Sequence, residues 1–119
     1  MKNTQTTHQF RNEKVASRMQ QDLGVIIRPY LEGQKGLVTV SRVEVSTDMK
    51  WGKVWLSILG GNDELILKTL KDNIYDIQGE LNRKFTTKII PRIQFELDTN
   101  PRYAAHIEEV IKEIHKEND

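Results

Sequence analysis

With 119 residues, 18 Lys/Arg against 17 Asp/Glu and a formal net charge of +1, the chain suits one domain and is no bulk polycation. It has no cysteine, which excludes disulfides and thiolate metal sites. No apolar run approaches the ~20 residues of a membrane span, and residues 1–9 lack the apolar centre of a secretory signal, so a cytoplasmic protein is expected.

The charge is unevenly placed. Residues 1–59 hold 9 Lys/Arg against 5 Asp/Glu, a net +4, whereas residues 60–119 hold 9 against 12, a net −3. Segregated signs fit a two-faced surface, and chance scatter of surface charge gives the same picture.

Residues 1–9 read as a disordered polar tail, with little to bury. Residues 10–119 then form a single domain. From Phe10 a helical period runs through Val15, Met19, Leu23, Ile26, Ile27, Tyr30 and Leu31. Pro29 should distort its last turn and Glu32-Gly33 should end it. Gly33-Gln34-Lys35-Gly36 matches GxxG, the loop that clamps nucleic-acid backbone between two helices in KH domains. Here it joins a helix to a strand, so it reads as a turn.

Residues 37–46 predict a strand whose phase changes near Ser41-Arg42: Val38 and Val40 share one face, Val43 and Val45 the other. Either a bulge sits there or both faces are partly covered. Residues 53–59 alternate cleanly, with Val54, Leu56 and Ile58 opposite Lys53, Trp55 and Ser57. The short connection makes the pair an antiparallel hairpin.

Gly60-Gly61 breaks the strand, and Asn62 or Asp63 is a good N-cap. Ile66, Leu70, Ile74, Ile77, Leu81 and Phe85 follow at spacings of 4, 4, 3, 4 and 4, one continuous helical stripe. Periodicity alone gives a single helix over residues 62–85. Residues 81–95 contain no acid but carry Arg83, Lys84, Lys88 and Arg92.

Residues 86–97 predict a third strand, with Ile89, Ile93, Phe95 and Leu97 facing one way and Ile90, Arg92, Gln94 and Glu96 the other. Pro91 cannot donate to a ladder, which places this strand at an edge or on a bulge. Asn100-Pro101 starts a last helix with Ala104, Ile107, Val110, Ile111 and Ile114 as its apolar face. Helices covering one face of a three-stranded sheet make a two-layer α+β domain. The open face should then show Trp55, Ile90, Arg92 and Arg42.

Nothing points to catalysis. His106 and His115 fall on opposite sides of the last helix and His8 lies in the tail. The pair His106 and Glu109 offers only two ligands, a poor metal site. GxSxG, P-loop, GxGxxG and HExxH patterns are missing from the sequence, and the carboxylates sit at solvated helical positions. The basic residues each have a structural explanation. Arg83 and Lys84 suit the negative end of a helix, and Lys88 and Arg92 suit a protected sheet edge. With Lys50 and Lys53 on the hairpin they also form an acid-poor surface for an anionic partner. Trp51 and Trp55 can stack bases or serve packing.

The hairpin carries the most specific pattern. Val38-Thr39-Val40-Ser41-Arg42-Val43-Glu44-Val45-Ser46-Thr47-Asp48-Met49, then Lys53-Val54-Trp55-Leu56-Ser57-Ile58-Leu59-Gly60, resembles the ribosome-binding factor A family, with its Glu-Val-Ser-x-Asp turn and glycine-ended second strand. Arg18-Met19-Gln20-Gln21-Asp22-Leu23 is similar to its first helix. Ile89-Ile90-Pro91-Arg92-Ile93-Gln94-Phe95, followed by Asp98, is similar to its third strand. The resemblance spans residues 10–115.

It implies a KH-like type II fold of order αββααβα, with a mixed three-stranded sheet and helices on one face. It implies a non-catalytic cytoplasmic monomer that needs no cofactor or metal. Such a protein binds the free small (30S) ribosomal subunit and its 16S rRNA during late maturation and rRNA processing, and the family is associated with cold adaptation. In place of GxxG the family uses a helix–kink–helix turn with Ala-x-Gly. That position falls here on Asn73-Ile74-Tyr75, where Asn73 has low helix propensity and can bond its own backbone; the only glycine in the helix is Gly79. A break near Asn73 to Tyr75 is therefore expected, with Gly79 as the alternative place. The candidate RNA contacts are Lys50, Lys53, Asn73, Tyr75, Arg83, Lys84, Lys88 and Arg92. The alternative is a protein-interaction or dimerisation module using the sheet edge and exposed tryptophans.

Overall fold

In a computed structural model, which describes residues 3–85 and 89–99, the valines of the first strand all reach the core because one extra residue lies between them. Strand β1 (Leu37–Val45) pairs antiparallel with β2 (Trp51–Leu59), and the register shifts between Val40 and Arg42. Val40 faces Leu56 and Val43 faces Val54, so the bulge at Ser41 rotates the second valine pair onto the face of the first. That decides the phase change in favour of a bulge. The bulge is held from both sides. Gln20 Nε2 donates to the carbonyls of Val40 and Ser41 at 3.0 and 3.3 Å, and Ser41 Oγ lies 3.1 Å from Trp55 O and 2.6 Å from Asp98 Oδ2.

Strand β3 (Arg92–Leu97) lies parallel to β2, giving a mixed sheet of order β1-β2-β3 with β3 at an edge. It starts only after Pro91, later than the alternation predicts. Ile93 and Phe95 are buried as expected, but Ile89 is 61% exposed and Ile90 is half-buried against the core. Both expectations for the segment before Pro91 are therefore reversed. Outside the ladder, strand phase no longer dictates which side a residue takes.

Helix α1 (Asn3–Ile26) packs on β1. It begins within the stretch whose composition reads as a tail, since a helix once nucleated gains one bond per added residue. A 3-10 turn (Arg28–Leu31) carries Pro29 near its start, the distortion Pro29 predicts. Gly33 (φ 84°) and Gly36 (φ 113°) form the turn into β1. A Cβ on Gly36 would lie 2.7 Å from Gly61 Cα, so this glycine serves a close backbone approach.

The long apolar stripe folds as α2 (Asp63–Asp72) and α3 (Ile74–Lys84), broken at Asn73. Asn62 caps α2 by accepting from Leu65 N–H at 3.0 Å. Ile66, Leu70, Ile77 and Leu81 stay buried across the break, joining Met19, Leu23, Val54, Leu56 and Phe95 in one core. The helices thus cover one sheet face. Lys88 and the expected last helix, with His106 and His115, lie outside the described residues.

Candidate nucleic-acid interface

At Asn73 the backbone takes φ −106° and ψ 14°, a negative φ that asparagine tolerates without glycine. Its N–H reaches back to Leu70 O at 3.3 Å, a tightened last turn for α2. Its side-chain Nδ2 donates to Thr69 O at 2.7 Å, the local competition with helix that the residue type predicts. The side chain therefore does not cap α3. Gly79, the other place for a break, sits inside α3, where an added Cβ would meet only Arg83 at 3.7 Å.

Tyr75 projects from the first turn of α3 and is 88% exposed. It borders a groove with Tyr30, Asp76, Gly79, Glu80, Asn82 and Arg83. The acid-free run in the sequence is thus not acid-free in space. Asp76 and Glu80, earlier turns of the same helix, lie beside Arg83. Tyr30 OH donates to Glu80 Oε2 at 2.6 Å. That bond, partial burial and the charges of Glu80 and Asp76 push the Tyr30 pKa from its ordinary 10.0 to about 12. Lys84 is exposed, and its carbonyl accepts from Arg18 Nη2 at 3.0 Å. Arg18 also lies 5.3 Å over the Phe85 ring, so α1 closes the end of α3.

Lys50, Lys53 and Arg92 stand elsewhere, at the hairpin and on the open sheet face. Arg92 N–H donates to Lys50 O at 2.9 Å, and Arg92 pairs in register with Trp51. Arg42 stacks on Trp55 at 4.4 Å and pairs with Glu44 at 2.7 Å. Lys53 lies 5.6 Å from the Trp55 ring and Arg92 5.9 Å from the Trp51 ring. Trp55 Nε1 is buried and has no hydrogen-bond partner among the described residues. The turn before β2 is tied by Asp48, which accepts from Ser46 Oγ at 2.6 Å and Lys50 N–H at 3.1 Å. These bonds hold the Asp48 carboxyl below its usual range.

The predicted residues therefore form two groups rather than one patch: Asn73, Tyr75, Arg83 and Lys84 along the broken helix, and Lys50, Lys53 and Arg92 on the sheet. Sequence reasoning missed the residue that joins them. Gln78 on α3 donates to Pro91 O at 3.2 Å and accepts from Ile93 N–H at 2.9 Å, fixing the strand start that carries Arg92. Among the described residues no cluster of His, Asp and Glu could hold a metal ion, and no helix is long and apolar enough to cross a membrane.

Comparison with known proteins places this geometry. A family model described as ribosome-binding factor A matches residues 11–111. The chain belongs to the ribosome-binding factor A family. Ribosome-binding factor A of Staphylococcus carnosus is 31% identical over 112 residues, 92% of this chain and 97% of the relative. That of Pelagibacter ubique is 35% identical over 113 residues, covering 89% and 91%. The crystal structure of ribosome-binding factor A from Thermus thermophilus superimposes with a TM-score of 0.65 at 20% identity, over 72% of this chain and 94% of that one. A homology model of the Thermus factor, fitted into a cryo-EM map of its complex with the 30S subunit, superimposes with a TM-score of 0.60 at 20% identity, over 68% and 88%. The KH-like α+β description fits this family fold.

Proposed function

We propose that this chain is a ribosome-assembly factor that binds the free small ribosomal subunit and its 16S rRNA in the cytoplasm during late maturation and rRNA processing. The observation that carries this reading is the helix break at Asn73. It falls where the family places its helix–kink–helix turn, with Tyr75 exposed beside it. Binding is led by shape and phosphate: Arg83 and Lys84 neutralise backbone charge, and the uncapped start of α3 offers amide donors. The protein acts by docking, as a monomer without cofactor, and performs no covalent chemistry.

Sedimentation with purified small and large subunits across a salt series tests the reading. Preferential binding to the small subunit is expected. The log–log salt slope should be roughly −3 to −5, for about four to six neutralised phosphates. The double reversal Arg83→Glu/Lys84→Glu should abolish docking while circular dichroism stays native. Equal binding to both subunits, or docking that survives the reversal, would overturn the reading.

A further inference from the structure

The sheet face turned away from the helices carries two cations, Lys53 and Arg92; Glu44 stands opposite Lys53 in register but is bonded to Arg42. Among the described residues no carboxylate lies within ion-pair distance of Lys53 or Arg92, whereas Arg42 on the same face is engaged by Glu44. Trp51 lies in the same place. The residue is 46% exposed, and Arg92 lies 5.9 Å from the centroid of its ring. A hollow of about 230 Å³ opens beside it, bordered by Lys53, Gln94 and Glu44.

The backbone that carries the ring is fixed before any partner arrives. Trp51 N–H donates to Ser46 Oγ at 3.0 Å and its carbonyl accepts from Ser46 N–H at 2.9 Å. The turn between them is closed by Met49 at φ 63° and tied by Asp48. An exposed aromatic on a fixed backbone, flanked by cations that no described carboxylate pairs, matches a base on a charged chain: the π-face stacks and the cations take the phosphates. Charge complementarity favours this partner over a protein. Lys53, Glu44 and Gln94 interrupt the exposed apolar surface around Trp51, and an apolar protein interface would need that surface continuous.

We infer that the open sheet face around Trp51 is a stacking platform for a single-stranded RNA segment, with Trp51 as the ring and Lys53 and Arg92 as its phosphate contacts. The inference rests on the RNA-binding reading above but uses a surface separate from the broken helix.

The test uses the full chain and a fluorescently labelled oligouridylate of about ten nucleotides, a length within single-strand site sizes. Anisotropy gives the affinity. Trp51→Leu keeps an apolar side chain and removes the ring; it should weaken binding about five- to one-hundred-fold with native circular dichroism. Arg92→Gln should lower the salt slope by about 0.7, one single-strand phosphate contact. A blunt RNA duplex of equal length should bind more weakly than the single strand. Arg83→Glu/Lys84→Glu should lose the small subunit, and in that background Trp51→Leu should still weaken oligouridylate binding by the same factor, so the two readings fail separately. Unchanged affinity in Trp51→Leu, equal binding of the duplex, or no binding by the unaltered chain would overturn the platform. So would concentration-dependent mass in light scattering that Trp51→Leu removes without any effect on the oligomer. That result would assign the face to a second copy of the chain.

Discussion

The broken helix and the open sheet face both present cations, but they are built in opposite ways. Along α3 the cation Arg83 shares its groove with Asp76 and Glu80, and Tyr30 is locked to Glu80. On the sheet, Lys53 and Arg92 lie over indole rings with no described carboxylate in ion-pair distance. The first surface sits at a helix break and sets carboxylates beside its own positive charge. The second sets its cations over flat rings, with Glu44 opposite Lys53 in register but bonded to Arg42. The acid-free run along the chain hides this grouping, because helical residues three and four apart share a face while strand neighbours do not.

The sharpest way to break the comparison is to ask whether the two halves of the helix are one structural body. Leu70 before the break and Ile77 after it are both 0% exposed in the same cluster. Leu70→Ala and Ile77→Ala should each cost about 2–5 kcal/mol in a denaturant titration, from lost burial plus the residual cavity. Similar losses with unchanged m-values would mean that α2 and α3 unfold together. A cost near zero for Ile77→Ala would detach the α3 surface from the core and leave the sheet as the only firm platform.

Most of the frame was legible in the chain. The four valines of β1 carried the bulge in their change of phase, and Asn62 and Pro29 marked a helix start and a distortion. Asn73 is the instructive case. Periodicity ran through it unbroken, and the resemblance together with the side chain's own hydrogen-bonding chemistry pointed to the break. What was not legible joins distant parts of the chain. Arg18 reaches the end of α3, Tyr30 reaches Glu80, and Gln78 holds the start of β3. A single sequence carries no signal for such pairs. The crowding of Arg83 by Asp76 and Glu80 did have a signal, in the helical spacing of the three residues. The misplacement of Ile89 and Ile90 came from extending strand alternation past Pro91, beyond the ladder that enforces it.

Gln78 gives the second break, of intermediate size, because it is the joint between the two surfaces. Gln78→Ala leaves Ile93 N–H, a partly buried donor, without its partner and frees Pro91 O. The expected cost is about 1–3 kcal/mol, with faster amide exchange at Ile93. If the surfaces are positioned through this joint, the variant should weaken both oligouridylate binding and subunit docking. Loss of one without the other would show that the surfaces are set independently.

The smallest effect is a pH dependence confined to the helix side. Tyr30 has its pKa raised from 10.0 to about 12, first by its hydrogen bond to Glu80. A raised pKa means that the folded state favours the protonated phenol. Its contribution to stability is therefore complete below pH 10 and disappears as pH rises through about 12. Tyr30→Phe lacks the hydroxyl and should be less stable than the unaltered chain at neutral pH, with the gap closing across that alkaline window. Stability of both proteins measured by denaturant at stepped pH reads the gap directly. Oligouridylate binding at neutral pH should not respond, since Tyr30 and Trp51 belong to different surfaces. A gap that stays constant to high pH would mean that the phenol's packing, and not its proton, holds the turn after α1 against α3.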